Sequence, residues 1–250
     1  MTQDRLVRTD HENGVVQIGL NRAPVNALSA DFLMEFSDLI DVLVADDTVR
    51  SIVLTSGFKV FSAGLDLKEA QHFHLTQQHA MVRGLNVGFL SLYACPKPTL
   101  VAIDGAAIAG GLFFVLGSDV RISSPRASFG LAEVRVGADF PVGPLEIARA
   151  ALSPDTLRRL MLTGRPIDTD SAKAAGIIDE ITPSEQLFTR VMQIGGEMAQ
   201  IPPQTFASVK RQIRGDTISR IEAAMAGGAN APEGGWFNDE TIAAMKRMIG

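Results

Sequence analysis

The run Thr99-Leu100-Val101-Ala102-Ile103 is followed by Asp104-Gly105. After it comes Ala109-Gly110-Gly111-Leu112-Phe113-Phe114-Val115-Leu116-Gly117, then Asp119-Val120-Arg121-Ile122-Ser123. This stretch decides the fold class. The first run is short, β-branched and continuously apolar, the pattern of a strand buried on both faces. Gly110 to Gly117 predicts a short helix, and the side chains from Leu112 to Leu116 leave it no polar side, so it must be buried all round. Asp119 to Ser123 reads as a second strand. A buried strand, helix and strand in succession predict an α/β domain.

Working outward, Ser51 to Thr55 reads as another buried strand, followed by a glycine-containing loop, Gly57 to Leu65, and a long helical stretch to about Tyr93. Phe32, Leu33, Phe36, Leu39, Ile40, Leu43 and Val44 recur at helical spacing, with Ser29 or Asp31 as cap and Asp46-Asp47 as end. Arg5–Thr9 and Val15–Leu20 flank Asn13-Gly14 and predict a hairpin. From Pro144 onward the pattern is helical, broken by a small strand at Ile177–Ile181. Gly227 to Gly235 reads as a linker delivering a last helix, Trp236–Ile249. The divide falls near residue 180, between an α/β core and a helical C-terminal part.

The chain has 250 residues, 46% hydrophobic and 20% charged, with a formal charge of −5. A chain of this size buries roughly three quarters of its unfolded surface and needs no staples. The single cysteine, Cys95, excludes an internal disulfide framework and a cysteine cage for metal. Net acidity argues against a nucleic-acid binder; a basic stripe at Lys210-Arg211 and Arg214 is short. No apolar run is long enough to span a membrane. The opening residues carry neither a signal-peptide core nor an Arg-rich presequence. The expectation is a soluble, cytoplasmic protein.

Two glycine turns stand where chemistry could sit. Phe61-Ser62-Ala63-Gly64-Leu65-Asp66 and Ala109-Gly110-Gly111-Leu112 each precede a helix. Helix N-termini carry unpaired N–H groups, and two of them aimed at one carbonyl oxygen make an oxyanion hole. Glycines in such places also simply permit close packing. Glu133, in Phe129-Gly130-Leu131-Ala132-Glu133-Val134, is a carboxylate in apolar company, which raises its proton affinity. The alternative is a strand-edge glutamate paired with Arg135. Asp139 is a second acid close by, or a turn residue. His72, His74 and His79 lack the i, i+4 spacing of a helical metal site, and Cys95 has no nearby histidine. Lys68 could meet a phosphate or stand in solvent.

Together, Phe61 to Leu67, Asp104 through Ala109-Gly110-Gly111 to Asp119, Gly130-Leu131-Ala132-Glu133, and Leu162 to Arg165 with Ala172 to Ile178 resemble the crotonase (enoyl-CoA hydratase/isomerase) superfamily, in its order and spacing. The resemblance implies a ββα-spiral core of two roughly perpendicular sheets over residues 1–181. It also implies a helical region, 182–250, serving trimerisation and active-site cover, in a homotrimer or a dimer of trimers. The substrate would be an acyl-CoA thioester. Coenzyme A would belong to that substrate, and no metal or separate cofactor would be needed. The N–H groups of Leu65 and Gly110 would hold the thioester oxygen. Ala63, Asp66, Leu67 and Lys68, with Pro24 and Val25 of the Pro24-Val25-Asn26 loop, would bracket CoA, and Phe113 and Phe140 would wall the acyl chain.

Hydratases of the superfamily carry two glutamates, one shortly after the glycine pair and one at the Glu133 position. Here the first is Phe113. One acid suits a positional isomerase, so the chain looks most similar to the Δ3,Δ2-enoyl-CoA isomerase branch, with Glu133 moving the proton. Asp139 stands where that branch is usually apolar, and as a second acid it would favour a hydratase or hydrolase. A non-catalytic CoA-binding scaffold is the remaining alternative.

Overall fold

The computed structural model describes residues 4–249. Strands β1 (Leu6–Asp10) and β2 (Val15–Leu20) form the expected antiparallel hairpin. Asn13 and Gly14 turn the chain at φ 61° and 71°, values that asparagine and glycine tolerate. Short β3 (Ala27–Leu28) leads into α1 (Ala30–Ala45). Ser29 Oγ accepts the Phe32 amide at 3.3 Å and so satisfies one unpaired donor of the first turn. Strand β4 (Ser51–Ser56) is followed by β5 (Gly64–Leu65).

The single helix expected from there to Tyr93 is two. Helix α2 covers only Leu67–Ala70 and α3 runs Leu75–Ala94. The chain re-enters helix at His74, whose amide donates to Gln77 Oε1 at 3.1 Å. Strands β6 (Thr99–Ile103) and β7 (Ala106–Ile108) precede α4 (Gly110–Gly117), all of whose residues are buried. Strands β8 (Val120–Ser123) and β9 (Ser128–Gly130) follow. Then come α5 (Val142–Ala151), α6 (Pro154–Thr163), β10 (Ile167–Asp168), α7 (Thr169–Ala174) and β11 (Glu180–Ile181). The last strand is shorter than its sequence suggests, because Ile177 and Ile178 leave the ladder for the core. Helices α8 (Ser184–Met198), α9 (Pro203–Ala224) and α10 (Thr241–Ile249) complete the chain.

The main sheet has the order β1-β2-β4-β6-β8-β11 and is parallel from β2 onward. A second sheet, β10-β9-β7, and a two-stranded one, β3-β5, lie beside it. A parallel bridge from Ser62 to Ala107 joins these two smaller sheets. This is an α/β fold with mixed sheets and a helical C-terminal region, consistent with a crotonase-like ββα core. Helix α4 sits at its centre. Phe114 meets Phe36 and Phe89 edge-on at 5.1 and 5.2 Å between ring centroids, a geometry that aromatic quadrupoles favour. Helix α3 lies close on α1 because Gly88 has no side chain; a Cβ there would stand 3.0 Å from Leu33 O.

Two further expectations change. Helix α9 continues as a π-type turn, Met225–Ala229, and Trp236 to Glu240 are not helical, so the last helix starts at Thr241. The basic stripe is not a surface: Lys210 and Arg214 are buried and face Asp119. No helix among the described residues is long and apolar enough to cross a membrane.

Candidate active site

The site is assembled where β5 meets the start of α4. Ser62 N–H donates to Ala106 O at 3.1 Å and Ile108 N–H returns to Ser62 O at 3.0 Å, locking the two chains side by side. Gly64 then bends at φ 79°. A Cβ on it would stand 2.8 Å from both Ile108 O and the Ala109 side chain, and 3.1 Å from Gly110 N. Only glycine fits this approach.

Past the bend, Asp66 N–H donates to Leu28 O at 3.2 Å. Successive strand amides point to opposite sides, so the Leu65 N–H faces away from β3. Gly110 opens α4, and its amide has no acceptor within the helix. Ala109, just before it, is held at φ 50° and ψ −127°, a region that an alanine enters only at a cost of about 1–3 kcal/mol. Its amide is tied to Gly130 O at 2.7 Å. This strained link carries the chain from β9's neighbour directly into the Gly110 amide. Leu65 and Gly110 line one cavity.

Glu133 lines it too. It opens a 3-10 turn, Glu133–Val136, that ends on Gly137 at φ 66°. The strand-edge pairing with Arg135 does not form. Arg135 Nε turns instead to Thr163 O at 3.2 Å. Glu133 is 9% exposed, and its Oε2 is enclosed without a hydrogen-bond partner. Burial pushes its carboxyl up from 4.5 to about 8, because a charge there would lose its water. Ala63, Leu67, Phe113 and Phe140 share the cavity wall, and among the described residues Glu133 is the only ionisable side chain on it. The rings of Phe113 and Phe140 meet edge-on, 6.4 Å apart.

The other sequence candidates stand outside the cavity. Val25 O accepts the Ala63 amide at 3.0 Å, which sets the Pro24-Val25 loop against the exposed Ala63 at the cavity edge. Asp66 caps α2 through the Glu69 amide at 3.3 Å and lies 3.4 Å from Arg22. Lys68 is exposed. Asp139 is exposed and off the cavity wall; its main-chain oxygen, not its carboxylate, is engaged, by Trp236 Nε1 at 2.9 Å. His72 and His74 are exposed, and no cluster of three His, Cys, Asp or Glu side chains suited to a metal occurs among the described residues.

Sequence reasoning named neither Trp236 nor Met248 as wall residues, although both line the cavity. No local pattern marks them, since they arrive from the far end of the chain. Nothing in the sequence singles out Asn26 of the Pro24-Val25-Asn26 loop, yet it is fully buried and pins that loop. Its Nδ2 donates to Ser56 Oγ and Phe61 O at 2.8 and 2.9 Å, and its main-chain oxygen accepts from Ser62 Oγ at 2.7 Å.

Residues 10–231 match the family model described as Enoyl-CoA hydratase/isomerase. The chain belongs to that family. Among its relatives, a (7aS)-7a-methyl-1,5-dioxo-2,3,5,6,7,7a-hexahydro-1H-indene-carboxyl-CoA hydrolase of Mycobacterium tuberculosis is 26% identical, over 87% of each chain. Mitochondrial methylglutaconyl-CoA hydratase of Mus musculus is 32% identical over 73% of this chain, a match spanning 59% of the mouse protein. The structure of human mitochondrial delta3-delta2-enoyl-CoA isomerase superposes with a TM-score of 0.88 at 25% identity, covering 98% of this chain and 97% of the human one. A hydrolase, a hydratase and an isomerase thus stand among the proteins it is similar to. The family member described here is an acyl-CoA enzyme.

Proposed function

We propose that this enzyme shifts the double bond of a 3-enoyl-CoA to the 2-trans position, with Glu133 as its one acid/base. The observation that carries the reading is that, among the described residues, Glu133 is the sole ionisable group on an otherwise apolar cavity wall. The carboxylate of Glu133 takes a proton from C2, which leaves a dienolate whose charge sits on the thioester oxygen. The amides of Leu65 and Gly110 hold that oxygen, each such donor being worth about 10²–10³ in rate. The protonated Glu133 then returns a proton to C4, and carboxylate and conjugated product are regenerated. A burial that favours the neutral acid also makes the carboxylate a stronger base when it does ionise.

Hydration or hydrolysis would need a water held for attack beside the same thioester. The wall carries Phe113 where a second acid would stand, and Asp139 faces solvent. A scaffold without chemistry would have no use for a buried carboxyl oxygen lacking a partner, an arrangement that proteins rarely retain without function. Ala63 and Leu67 on the wall, with Pro24, Val25, Asp66 and Lys68 outside it, would hold the CoA part.

The deciding experiment follows 3-hexenoyl-CoA and crotonyl-CoA with the purified enzyme in deuterated water by mass spectrometry. Conversion of 3-hexenoyl-CoA to the 2-trans isomer with no gain of hydroxyl is the expected result, with deuterium at C4 only to the extent that the Glu133 proton exchanges with solvent before it is returned. A hydrated product, or free CoA released at a rate that falls in Asp139→Asn, overturns the reading. The same assay against pH gives a second check. Because the base must be ionised in the free enzyme, kcat/KM is expected to rise with pH to a plateau above about 8, the value to which burial lifts Glu133. A profile already flat from pH 5 upward would remove Glu133 as the base.

A further inference from the structure

We infer that Trp236, held in place by Gln78, is the wall that sets the length of the acyl group this enzyme accepts. The inference rests on the acyl-CoA reading above and adds to it the residue that limits the chain. Trp236 is the only tryptophan of the protein. Half-buried, it lines the cavity together with Phe113, Phe140 and Glu133. The α/β core supplies most of this wall. Trp236 and Met248 come instead from the C-terminal segment, so this side of the cavity is a separate piece laid over the rest.

The placement of the ring is built by specific contacts. Gln78, on α3 and outside the cavity, accepts the Trp236 and Phe237 amides on its Oε1 at 2.9 and 3.1 Å. Its Nε2 donates to Phe73 O at 3.2 Å. Gly235 packs so tightly on it that a Cβ there would stand 2.5 Å from Gln78 Oε1, and Gly235 is at φ 91°. On the other side, the indole Nε1 donates to Asp139 O at 2.9 Å, and Phe237 bridges to Ala138. The segment is therefore stitched both to α3 and to the stretch that runs from Glu133 to Phe140. A hydrocarbon chain leaving the thioester between Leu65, Gly110 and Glu133 meets an indole face fixed by these bonds. A long chain must displace it.

The test measures binding of butanoyl-, hexanoyl-, octanoyl- and dodecanoyl-CoA, which lack the reacting double bond, and of free CoA. Because the protein has one tryptophan, its emission reports Trp236 alone. Acyl-CoAs are expected to shift that emission while free CoA leaves it unchanged. By calorimetry, wild-type affinity is expected to stop rising at a chain length beyond which Trp236→Ala continues to gain, about fourfold per added methylene at ~0.8 kcal/mol each. Trp236→Phe, smaller and without the Nε1 donor, is expected to give a profile between those of wild type and Trp236→Ala. Gln78→Ala is expected to move the wild-type profile toward that of Trp236→Ala without altering a residue on the wall. Identical chain-length profiles in wild type, Trp236→Ala and Gln78→Ala overturn the assignment, as does an emission change that free CoA reproduces. Failure of every acyl-CoA to bind the wild type overturns the acyl-CoA reading itself, and the assignment with it. The wild-type emission and Gln78→Ala keep the test decisive even if Trp236→Ala does not fold.

Discussion

Glu133→Gln is expected to lower isomerase turnover by about 10³ or more, at the upper end of what a positioned acid/base contributes, while the protein gains stability at alkaline pH. The two effects share one cause. In the folded protein the Glu133 carboxyl ionises only near 8, whereas its ordinary value is 4.5. Between these values the unfolded chain has lost the proton and the folded chain still holds it, so folding takes up a proton and stability falls as pH rises. The contribution is fully present below 4.5 and gone above about 8, a change on the order of 5 kcal/mol at ~1.4 kcal/mol per pH unit. The amide of the variant carries no such linkage. Wild type and Glu133→Gln are thus expected to unfold at similar urea concentrations near pH 4, and the variant at clearly higher ones near pH 9. Retained turnover in the purified variant, or a stability difference that does not grow with pH, would count against this role.

What the sequence made legible was local. The apolar run from Leu112 to Leu116 left α4 nowhere to go but the centre, and Ser29 announced the start of α1. Asn13-Gly14 announced the hairpin. Each depends on neighbours a few residues away. Glu133 was half legible: its apolar company was plain, but an exposed pairing with Arg135 stood open until the 3-10 turn directed the two side chains apart. The positive φ of Ala109 gave no sign, because alanine is not the residue that normally marks such a conformation. Trp236 and Met248 were illegible as wall residues because only long-range folding brings them to the cavity. The inward direction of Lys210 and Arg214 was illegible for the same reason, as it is set by Asp119 on a distant part of the chain.

That buried cluster carries the largest expected loss of stability. Asp119 Oδ2 accepts from Lys210 Nζ at 2.7 Å and from Thr99 N and Oγ1 at 2.9 and 3.0 Å, while Oδ1 lies 2.9 Å from Arg214 Nη2. Arg214 further donates to Tyr93 O and Gly117 O, both at 2.9 Å, and stacks 4.3 Å over the Tyr93 ring. The one carboxylate therefore holds α9 against α3 and α4. Asp119→Asn is expected to cost about 3–5 kcal/mol, since it leaves two buried cations without their counter-charge, and for a chain of this size that is a fall in Tm of roughly 10 °C. The loss also has a direction with pH. Burial already lowers the Lys210 ammonium from its ordinary 10.5, and Asp119 opposes that; without Asp119 the amine gives up its proton more readily. The deficit is then full near neutral pH, where the wild-type carboxylate is charged, and shrinks as the medium becomes basic and Lys210 is neutralised. Removing the stranded charge as well, in Asp119→Asn with Lys210→Met, is expected to recover part of the loss near neutral pH. A single variant melting within about 2 °C of wild type, less than ~1 kcal/mol, would show that this cluster does not hold α9 in place.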